Sequence, residues 1–343
     1  MNSRFTSLHF AAPLRLVALA AVALLGSFSA AQPAATAPFI FTAFGCLPYA
    51  STPDSAAGFA RLIAEVNRQA PVFSVHLGDT MSSSEKATDA LLLKRRDEFN
   101  LFTSPLVYTP GDNEWTDTHT EKAGGFAPLE RLARIREIYF KEERSLGQKP
   151  IALVTQRRDP KFAKFVENAR WTHGGVMFAT VHVVGSHNNR QPNIPGAMEE
   201  YRERDEANVA WLRATFAEAT KINAPGVALF FQAAPFIEGG DKPGYTDGFE
   251  RFLKTTEELA RAFAKPVLLV HADEHRYRLN FGMRFHAAGE VLPNVTRIES
   301  FGANNLHAVL VTVDPSSQAV FLPGPLLIPG NPLPVLPKAK AAK

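Results

Sequence analysis

The chain contains a single cysteine, Cys46, among 343 residues, so no disulfide can form within it. Its 37 basic residues nearly balance its 34 acidic ones, which leaves a formal net charge of only +3. So small an excess gives no argument for binding to nucleic acid or to an anionic membrane surface. We therefore expect a fold that is stabilised by its own apolar core and that has no nucleic-acid partner.

Several catalytic signatures are missing as well. The sequence has no Gly-x-Ser-x-Gly nucleophile elbow, no Walker loop and no Gly-x-Gly-x-x-Gly fingerprint. A zinc motif built on cysteines cannot form with one cysteine. The sequence patterns of serine hydrolases, P-loop enzymes and dinucleotide-binding enzymes are thus set aside.

Long apolar runs are confined to the first residues. Residues 16–28 are apolar, the preceding segment has Arg4 and Arg15 but no acid, and small residues follow at 29–31. This pattern is typical of a secretory signal peptide over residues 1–31; an uncleaved anchor is the alternative, although the run is short for a bilayer span. We predict an exported mature protein, periplasmic or extracellular, without a stable membrane anchor.

Between the leader and the end of the chain, strand-like and helix-like patterns alternate. A strand pattern at 39–44 is followed by apolar residues at helical spacing at 55–69, and hairpin-like strands appear at 151–184. This order predicts one domain at residues 38–321, of the α/β class with a mixed sheet. The Pro-, Ala- and Lys-rich segment 322–343 predicts an extended tail.

A polar cluster follows the apolar run at 105–107. Residues 108–115 read Tyr-Thr-Pro-Gly-Asp-Asn-Glu-Trp, which places two carboxylates and a carboxamide just after a Pro-Gly turn. On its own this segment is as consistent with a surface turn, in which Asp112 and Asn113 bond to nearby backbone, as with a site. Open α/β sheets bind ligands beyond the carboxyl ends of their strands, so the segment is a candidate site.

Other apolar runs end in chemically capable residues too: Cys46, Asp79, Gln232, and His271 with Asp273 and His275. If parallel strands bring these ends to one edge, carboxylates and imidazoles meet there, and such ligands suit Mn, Fe or Zn. Two such ions can clamp a phosphate and activate a bridging water. Each residue has a plainer explanation: Asp79 could cap the next helix, and His271 could be a satisfied core histidine.

The order of these motifs resembles that of the calcineurin-like metallophosphoesterases, which include the purple acid phosphatases. The resemblance covers about residues 38–313 and rests on Gly45-Cys46, His76–Asp79, Gly111–Glu114, Gln232 and Asp273–His275. It implies a four-layer α/β/β/α sandwich of two mixed sheets. It also implies one or two metal ions and a small phosphorylated substrate.

Three residues match the pattern of that family. Asp79 corresponds to its bridging aspartate, Glu114 to the acidic end of its third motif, and His275 to the last histidine of its closing motif. The resemblance therefore implies that Asp79 and His275 bind metal and that Glu114 orients the ligands.

Five residues depart from the pattern. The family has Asp where Cys46 stands, Asn where Asp112 stands, and His at the other three: Asn113, Gln232 and Asp273. Asp112 and Asp273 can still bind metal through oxygen, a thiolate at Cys46 would suit a softer ion such as Zn, and Gln232 is a weak ligand. Asn113 is expected to contact a substrate oxygen without the imidazole that stabilises the transferring phosphoryl group. His119, His187 and His271 are the candidates to replace that imidazole.

These residues lead to one main hypothesis and two rivals. The main one is an exported, metal-dependent hydrolase of phosphate esters that uses metal-activated water. The first rival is an impaired or inactive protein of the same fold that binds an anionic ligand, which Cys46, Asn113 and Gln232 favour. The second makes Cys46 a nucleophile, and it is weaker because no nearby motif supplies an activating histidine.

Overall fold

The computed structural model describes residues 1–2, 37–236, 248–286 and 289–334. The signal peptide predicted at residues 1–31 falls almost entirely outside the described residues. Within them, no helix is both long enough and apolar enough to span a bilayer.

Two mixed β-sheets form the centre of the fold. The first has five strands, in the order β12 (Phe321–Leu326), β11 (Ala308–Val313), β1 (Phe39–Phe44), β2 (Ser74–His76) and β3 (Leu106–Tyr108). The second has seven, in the order β4 (Val154–Thr155), β5 (Ala169–His173), β6 (Val176–Thr180), β7 (Val227–Phe230), β8 (Val267–His271), β10 (Leu292–Glu299) and β9 (Arg278–Met283). In the first sheet β1, β2 and β3 are parallel and run to one edge, and β11 and β12 add antiparallel pairs at the other side. In the second sheet the central strands β6, β7, β8 and β10 are parallel, and antiparallel pairs lie at both sides.

Aromatic side chains pack the two sheets face to face. Phe41 of β1 stacks on Phe73 with ring centroids 5.1 Å apart. It also meets two rings of the second sheet edge-on, Phe178 at 5.8 Å and Phe230 at 5.5 Å. Edge-to-face pairs of this kind stabilise beyond the apolar area that they bury. The core between the sheets is therefore continuous.

Helices cover the outer face of each sheet. The first sheet packs against α1 (Ser55–Gln69), α2 (Asp89–Phe99) and α3 (Pro128–Tyr139). The second packs against α5 (Ala197–Lys221) and α6 (Glu250–Phe263), and a single turn, α4 (Gly185–Asn188), precedes α5. In α1 the spacing of Phe59, Leu62, Ile63 and Val66 places all four on the buried side. The four-layer α/β/β/α sandwich of two mixed sheets is confirmed.

The boundary that the sequence predicts at residue 321 needs a correction. Residues 321–326 form the strand β12 instead of the start of a tail, and its Pro323 and Pro325 lie opposite Val311 and Val309 of β11. The prolines suggested irregular chain because proline cannot donate to a sheet ladder. At an edge strand, however, alternate N–H groups face outwards, and proline is tolerated there.

Candidate metal centre

The carboxyl ends of the parallel strands lie side by side in each sheet. In the first sheet Phe44 pairs with His76 and His76 with Tyr108, so β1, β2 and β3 end in register. In the second, Phe230 at the end of β7 pairs with Val270 of β8. The loops that follow these strands carry most of the predicted site residues.

Three aspartates from these loops form a cluster. Asp79 follows β2, Asp112 follows β3 and Asp273 follows β8. Each offers a carboxylate oxygen, and these atoms all lie within 4.8 Å of one another. Asp79 and Asp112 are only 3% and 6% exposed, whereas Asp273 is half-buried. Three of the six residues that the sequence assigns to the metal thus direct carboxylate oxygens to one point.

The backbone around the cluster is tightly turned. Asp79 and Asp273 have φ values of 57° and 86°, a region that residues other than glycine rarely adopt. Gly111 lies so close to Asp79 that a Cβ at residue 111 would collide with the carboxylate. Strained backbone of this kind is concentrated at functional sites.

Gln232 lies in the middle of the cluster. Its side chain is fully buried, and its Nε2 donates to Asp79 Oδ2 at 3.2 Å, to Asp112 Oδ1 at 3.0 Å and to Asp273 Oδ1 at 3.1 Å. The sequence suggests a weak ligand at this position. In the structure a donor group, which cannot bind a metal, faces the three carboxylates.

Asn113 is held by hydrogen bonds within the protein. Its backbone N–H donates to Asp79 Oδ1 at 3.2 Å, and its side-chain Nδ2 donates to the Tyr49 hydroxyl at 3.1 Å and to the Met81 carbonyl at 3.0 Å. The Tyr49 hydroxyl in turn donates to Asp79 Oδ2 at 3.1 Å. Asn113 therefore supports the cluster, and both hydrogens of its amide are already used.

Cys46 lies beside the same carboxylates. Its Sγ is 3.5 Å from Asp79 Oδ2 and accepts the Asp273 N–H at 3.2 Å. Burial raises the pKa of the thiol well above its usual range, and the charges of Asp79 and Asp273 raise it further. A neutral thiol is neither a strong metal ligand nor a nucleophile, so these surroundings favour a packing and hydrogen-bonding role.

Glu114 is fully buried behind the cluster. Its Oε1 accepts the Thr80 N–H at 2.8 Å and the Tyr108 hydroxyl at 3.1 Å. These bonds join the loop after β2, which carries Asp79, to the loop after β3. The placement supports the orienting role that the family resemblance implies.

The two histidines of the closing motif face different surroundings. His275 is half-buried, and its Nε2 lies 3.4 Å from the Tyr49 hydroxyl. With Asp273 it lines a polar surface cleft of about 640 Å³. His271 is fully buried, and its ring stacks on Phe231 with centroids 5.5 Å apart. His271 thus packs among apolar side chains between the second sheet and its helices, apart from the aspartates.

Sequence reasoning missed three residues of the site. Tyr49 bridges Asp79, Asn113 and His275. Ser186 Oγ lies 3.0 Å from Asp112 Oδ2 and 2.7 Å from Oδ1 of Asp117, a further carboxylate. None of the three belongs to a motif, and only the polar character of the loop after residue 184 pointed in this direction.

Burial and mutual repulsion raise the pKa values of the three clustered aspartates. Burial raises the pKa of Asp79 well above its usual range, and the carboxylate of Asp112 adds to the effect. Burial, then the charge of Asp117, does the same to the pKa of Asp112. The pKa of Asp273 rises to about 6, mainly through burial. The charges that act on these three groups, within the described residues, come mostly from other carboxylates.

A hard divalent cation fits this arrangement. Carboxylate oxygens are the preferred ligands of Mg²⁺, Ca²⁺ and Mn²⁺, and a cation would offset the repulsion among buried acids that keeps their pKa values high. Asp79, Asp112 and Asp273 are the residues that could hold it. The cleft beside Asp273 gives access from solvent.

Comparison with known proteins adds the fold. No family model matches the sequence, and no curated protein matches it. A dimetal phosphatase from Danio rerio matches the structure with a TM-score of 0.51 at 10% identity, over 84% of this chain and 99% of that one. PhoD matches with a TM-score of 0.51 at 14% identity, over 82% of this chain.

The match covers 65% of PhoD, so the chain spans just under two thirds of that protein. At such low identity these likenesses establish the fold alone. The fold is that of the metallo-dependent phosphatases, as the motif resemblance implies.

Proposed function

We propose that this chain is a metal-dependent hydrolase of small phosphate esters. The observation that carries the proposal is the convergence of Asp79, Asp112 and Asp273 at the carboxyl ends of strands, in a fold shared with a dimetal phosphatase. Such strand ends are where sheets of this type bind ligands.

A bound cation would supply charge neutralisation and a nucleophilic water at neutral pH. The residues of the chain do the rest. The three aspartates would hold the ion. The Tyr49 hydroxyl fixes the carboxylate of Asp79, and Glu114 fixes the loop that carries Asp79 by accepting the Thr80 N–H. Loss of a hydrogen bond that orients a metal ligand commonly lowers metal affinity or activity by about 10–100-fold.

The cleft at the edge of the cluster is where we expect the ester to bind. Its walls include Asp273 and His275 from one loop, and Asn304 and Asn305 from another. His275 can donate a hydrogen bond to a phosphate oxygen there, which Asn113, with both amide hydrogens used, cannot do without rearrangement.

The ligand atoms of the site indicate which of the predicted metals binds best. Of the predicted ions Mn, Fe and Zn, an all-oxygen site suits Mn best, and the three ligand atoms that converge among the described residues are all carboxylate oxygens. We therefore expect Mn²⁺ to support activity better than Zn²⁺.

The central test compares wild type with Asp79→Asn in the hydrolysis of p-nitrophenyl phosphate, with Mn²⁺, Fe²⁺ and Zn²⁺ in turn. We expect the variant to lose at least about a hundredfold in rate. Asp97→Asn, which changes an exposed aspartate on α2, serves as the matched control and should keep the wild-type rate. Equal rates for wild type and Asp79→Asn would contradict the proposal.

The second candidate is a catalytically impaired protein of the same fold that binds an anionic ligand. Two observations favour it: Gln232 turns a donor towards the carboxylates, and the amide of Asn113 is engaged within the protein. Wild type without turnover under any of these ions, but with saturable binding of inorganic phosphate, would favour this candidate.

The place of action is a separate part of the proposal. The apolar run at 16–28 and the small residues at 29–31 support export through cleavage near Ala31. Mass spectrometry of the protein from the periplasm or medium of an expressing bacterium should find an amino terminus near Gln32. A chain that keeps residues 1–31 and sediments with membranes would favour the uncleaved anchor instead.

A further inference from the structure

Gln232 has an unusual place for a neutral side chain. It is fully buried, and its Nε2 bonds to three aspartates at 3.0–3.2 Å. The amide has only two N–H hydrogens to share among three acceptors. It therefore lies at the convergence of the carboxylates, where a cation would have to bind.

The other end of the amide fixes which atom faces the aspartates. Gln232 Oε1 accepts the backbone N–H of Gly185 at 2.5 Å. Because the oxygen is used in this bond, the nitrogen must point at the carboxylates. The backbone of Gln232 is also held, since its N–H donates to the Val183 carbonyl at 3.1 Å and its carbonyl accepts the Ala272 N–H at 3.1 Å.

Gly185 is the first residue of a tight turn that hydrogen bonds from α5 hold in place. Residues 186–189 all have φ between 47° and 60°, a left-handed conformation that is unfavourable for side chains with a Cβ. Arg204, fully buried, donates to the Asn188 carbonyl at 2.9 Å, to the His182 carbonyl at 2.9 Å and to Glu200 Oε1 at 2.6 Å. Tertiary contacts thus impose the turn, and the turn imposes the orientation of Gln232.

We propose that Gln232 sets the cation affinity of the three aspartates by competing with the cation. The amide N–H groups and a cation cannot occupy the same position among the carboxylates. A cation therefore enters only when the amide turns away, which breaks the bond between Gly185 N–H and Gln232 Oε1. The inference rests on the part of the proposed function in which the aspartates bind a metal.

The first experiment measures affinity without catalysis. Mn²⁺ is titrated calorimetrically into chelator-treated wild type and Gln232→Met, which has similar volume but no donor or acceptor of comparable strength. We expect Gln232→Met to bind Mn²⁺ about tenfold tighter, because hydrogen bonds from an amide to charged oxygens no longer oppose the ion. Equal or weaker binding by the variant would overturn the inference. Weaker binding would mean that Gln232 acts as a ligand of the ion, because its removal would then lower the affinity.

The second experiment uses wild type, so it does not depend on how the variant folds. Hydrogen exchange at the Gly185 amide is followed by mass spectrometry with and without saturating Mn²⁺. Loss of the bond to Gln232 Oε1 predicts faster exchange at Gly185 with the ion. Exchange that stays unchanged or slows under saturation would overturn the proposed competition.

Turnover of p-nitrophenyl phosphate, measured separately, tells this inference apart from the proposed function. Tighter Mn²⁺ binding by Gln232→Met without turnover in either protein would support the inference and contradict the function. Turnover in both proteins with equal Mn²⁺ affinities would support the proposed function and contradict the inference. Wild type and variant that both fail to bind Mn²⁺ would overturn both.

Discussion

The fold buries carboxylates in two contrasting ways. Glu167 is fully buried beneath α3, where Arg136 Nη2 lies 2.6 Å from its Oε1 and His182 Nδ1 lies 2.8 Å from the same oxygen. Burial alone would raise the pKa of Glu167, but Arg136 and His182 hold it far below the usual range. Within the described part of the chain, the aspartates of the cluster have amides, hydroxyls, the Cys46 thiol and one another as partners, and their pKa values rise.

The difference shows what the cluster lacks. A buried carboxylate is stable when a cation compensates it, and the protein supplies that cation at Glu167 from its own chain. Among the described residues, the hydrogen bonds to Asp79, Asp112 and Asp273 come from neutral donors, so a bound cation or bound protons would compensate the charge of these carboxylates. The first region is thus built for stability, and the second is built to bind.

The largest effect is expected when the ion pair between Arg136 and Glu167 is removed. Arg136→Met leaves Glu167 buried without its main partner, and we expect the free energy of unfolding to fall by about 3–5 kcal/mol, measured by urea denaturation. Arg134→Met, on the same helix but in a more exposed pair with Glu137, should change it by about 1 kcal/mol or less. Similar losses in both variants would show that the burial of Glu167 does not make its pair with Arg136 more stabilising than an exposed pair.

Mn²⁺ should stabilise the second region selectively. At about a hundred times its Kd, a ligand that binds only the native state adds about 2.7 kcal/mol to the free energy of unfolding. We expect this gain in wild type and in Arg134→Met, and none in Asp79→Asn, by thermal unfolding with and without Mn²⁺. A gain that survives in Asp79→Asn would place the ion elsewhere.

The two regions should also respond to pH with opposite sign. Burial raises the pKa of Asp273 to about 6, so the native metal-free protein binds this proton more tightly than the unfolded chain does. Its contribution to stability therefore declines as the pH rises from about 4 to about 6. The lowered pKa of Glu167 contributes stability above the unfolded value, and that stability is lost as the pH falls.

The affinity for a cation should depend on the same protonation of Asp273. Because ligands must be deprotonated to bind a metal, Mn²⁺ affinity should increase as the pH rises through about 6, as calorimetry at pH values on either side would show. Asp273→Asn should weaken binding and reduce the part of this dependence that falls near pH 6. An affinity that is constant from pH 5 to pH 7 would argue against Asp273 as a ligand.

The smallest expected effect concerns Cys46. If the thiol only packs and hydrogen-bonds, Cys46→Ser should change Mn²⁺ and Zn²⁺ affinities by no more than about threefold, comparable to one weak hydrogen bond. If Cys46 were a thiolate ligand, Zn²⁺ affinity would fall far more than Mn²⁺ affinity. Parallel titrations of both ions into wild type and Cys46→Ser distinguish the two.

Sequence reasoning reached the fold and the three aspartates because their signals are local. An apolar run that ends in an acid marks the end of a buried strand, and parallel strands end at a common edge. It missed β12 because prolines hide an edge strand, and it missed Tyr49 and Ser186 because their role depends on contacts between loops far apart in the chain.

The position of His271 away from the aspartates could have been predicted from the sequence. Side chains alternate between the faces of a strand, so His271 shares a face with Leu269, which packs towards the helices, while Val270 and Ala272 face the core between the sheets. The orientation of Gln232 could not have been read in this way, because it depends on a left-handed turn more than forty residues earlier in the chain.

The prolines of β12 have a consequence for how molecules meet. A sheet edge with free N–H and C=O groups is a template on which another chain can add a strand. In the first sheet β12 is such an edge, but Pro323 and Pro325 remove the donors at two alternate positions along it. A neighbouring copy that approached this side would find acceptors without the donors that a ladder needs, so the edge resists intermolecular strand pairing.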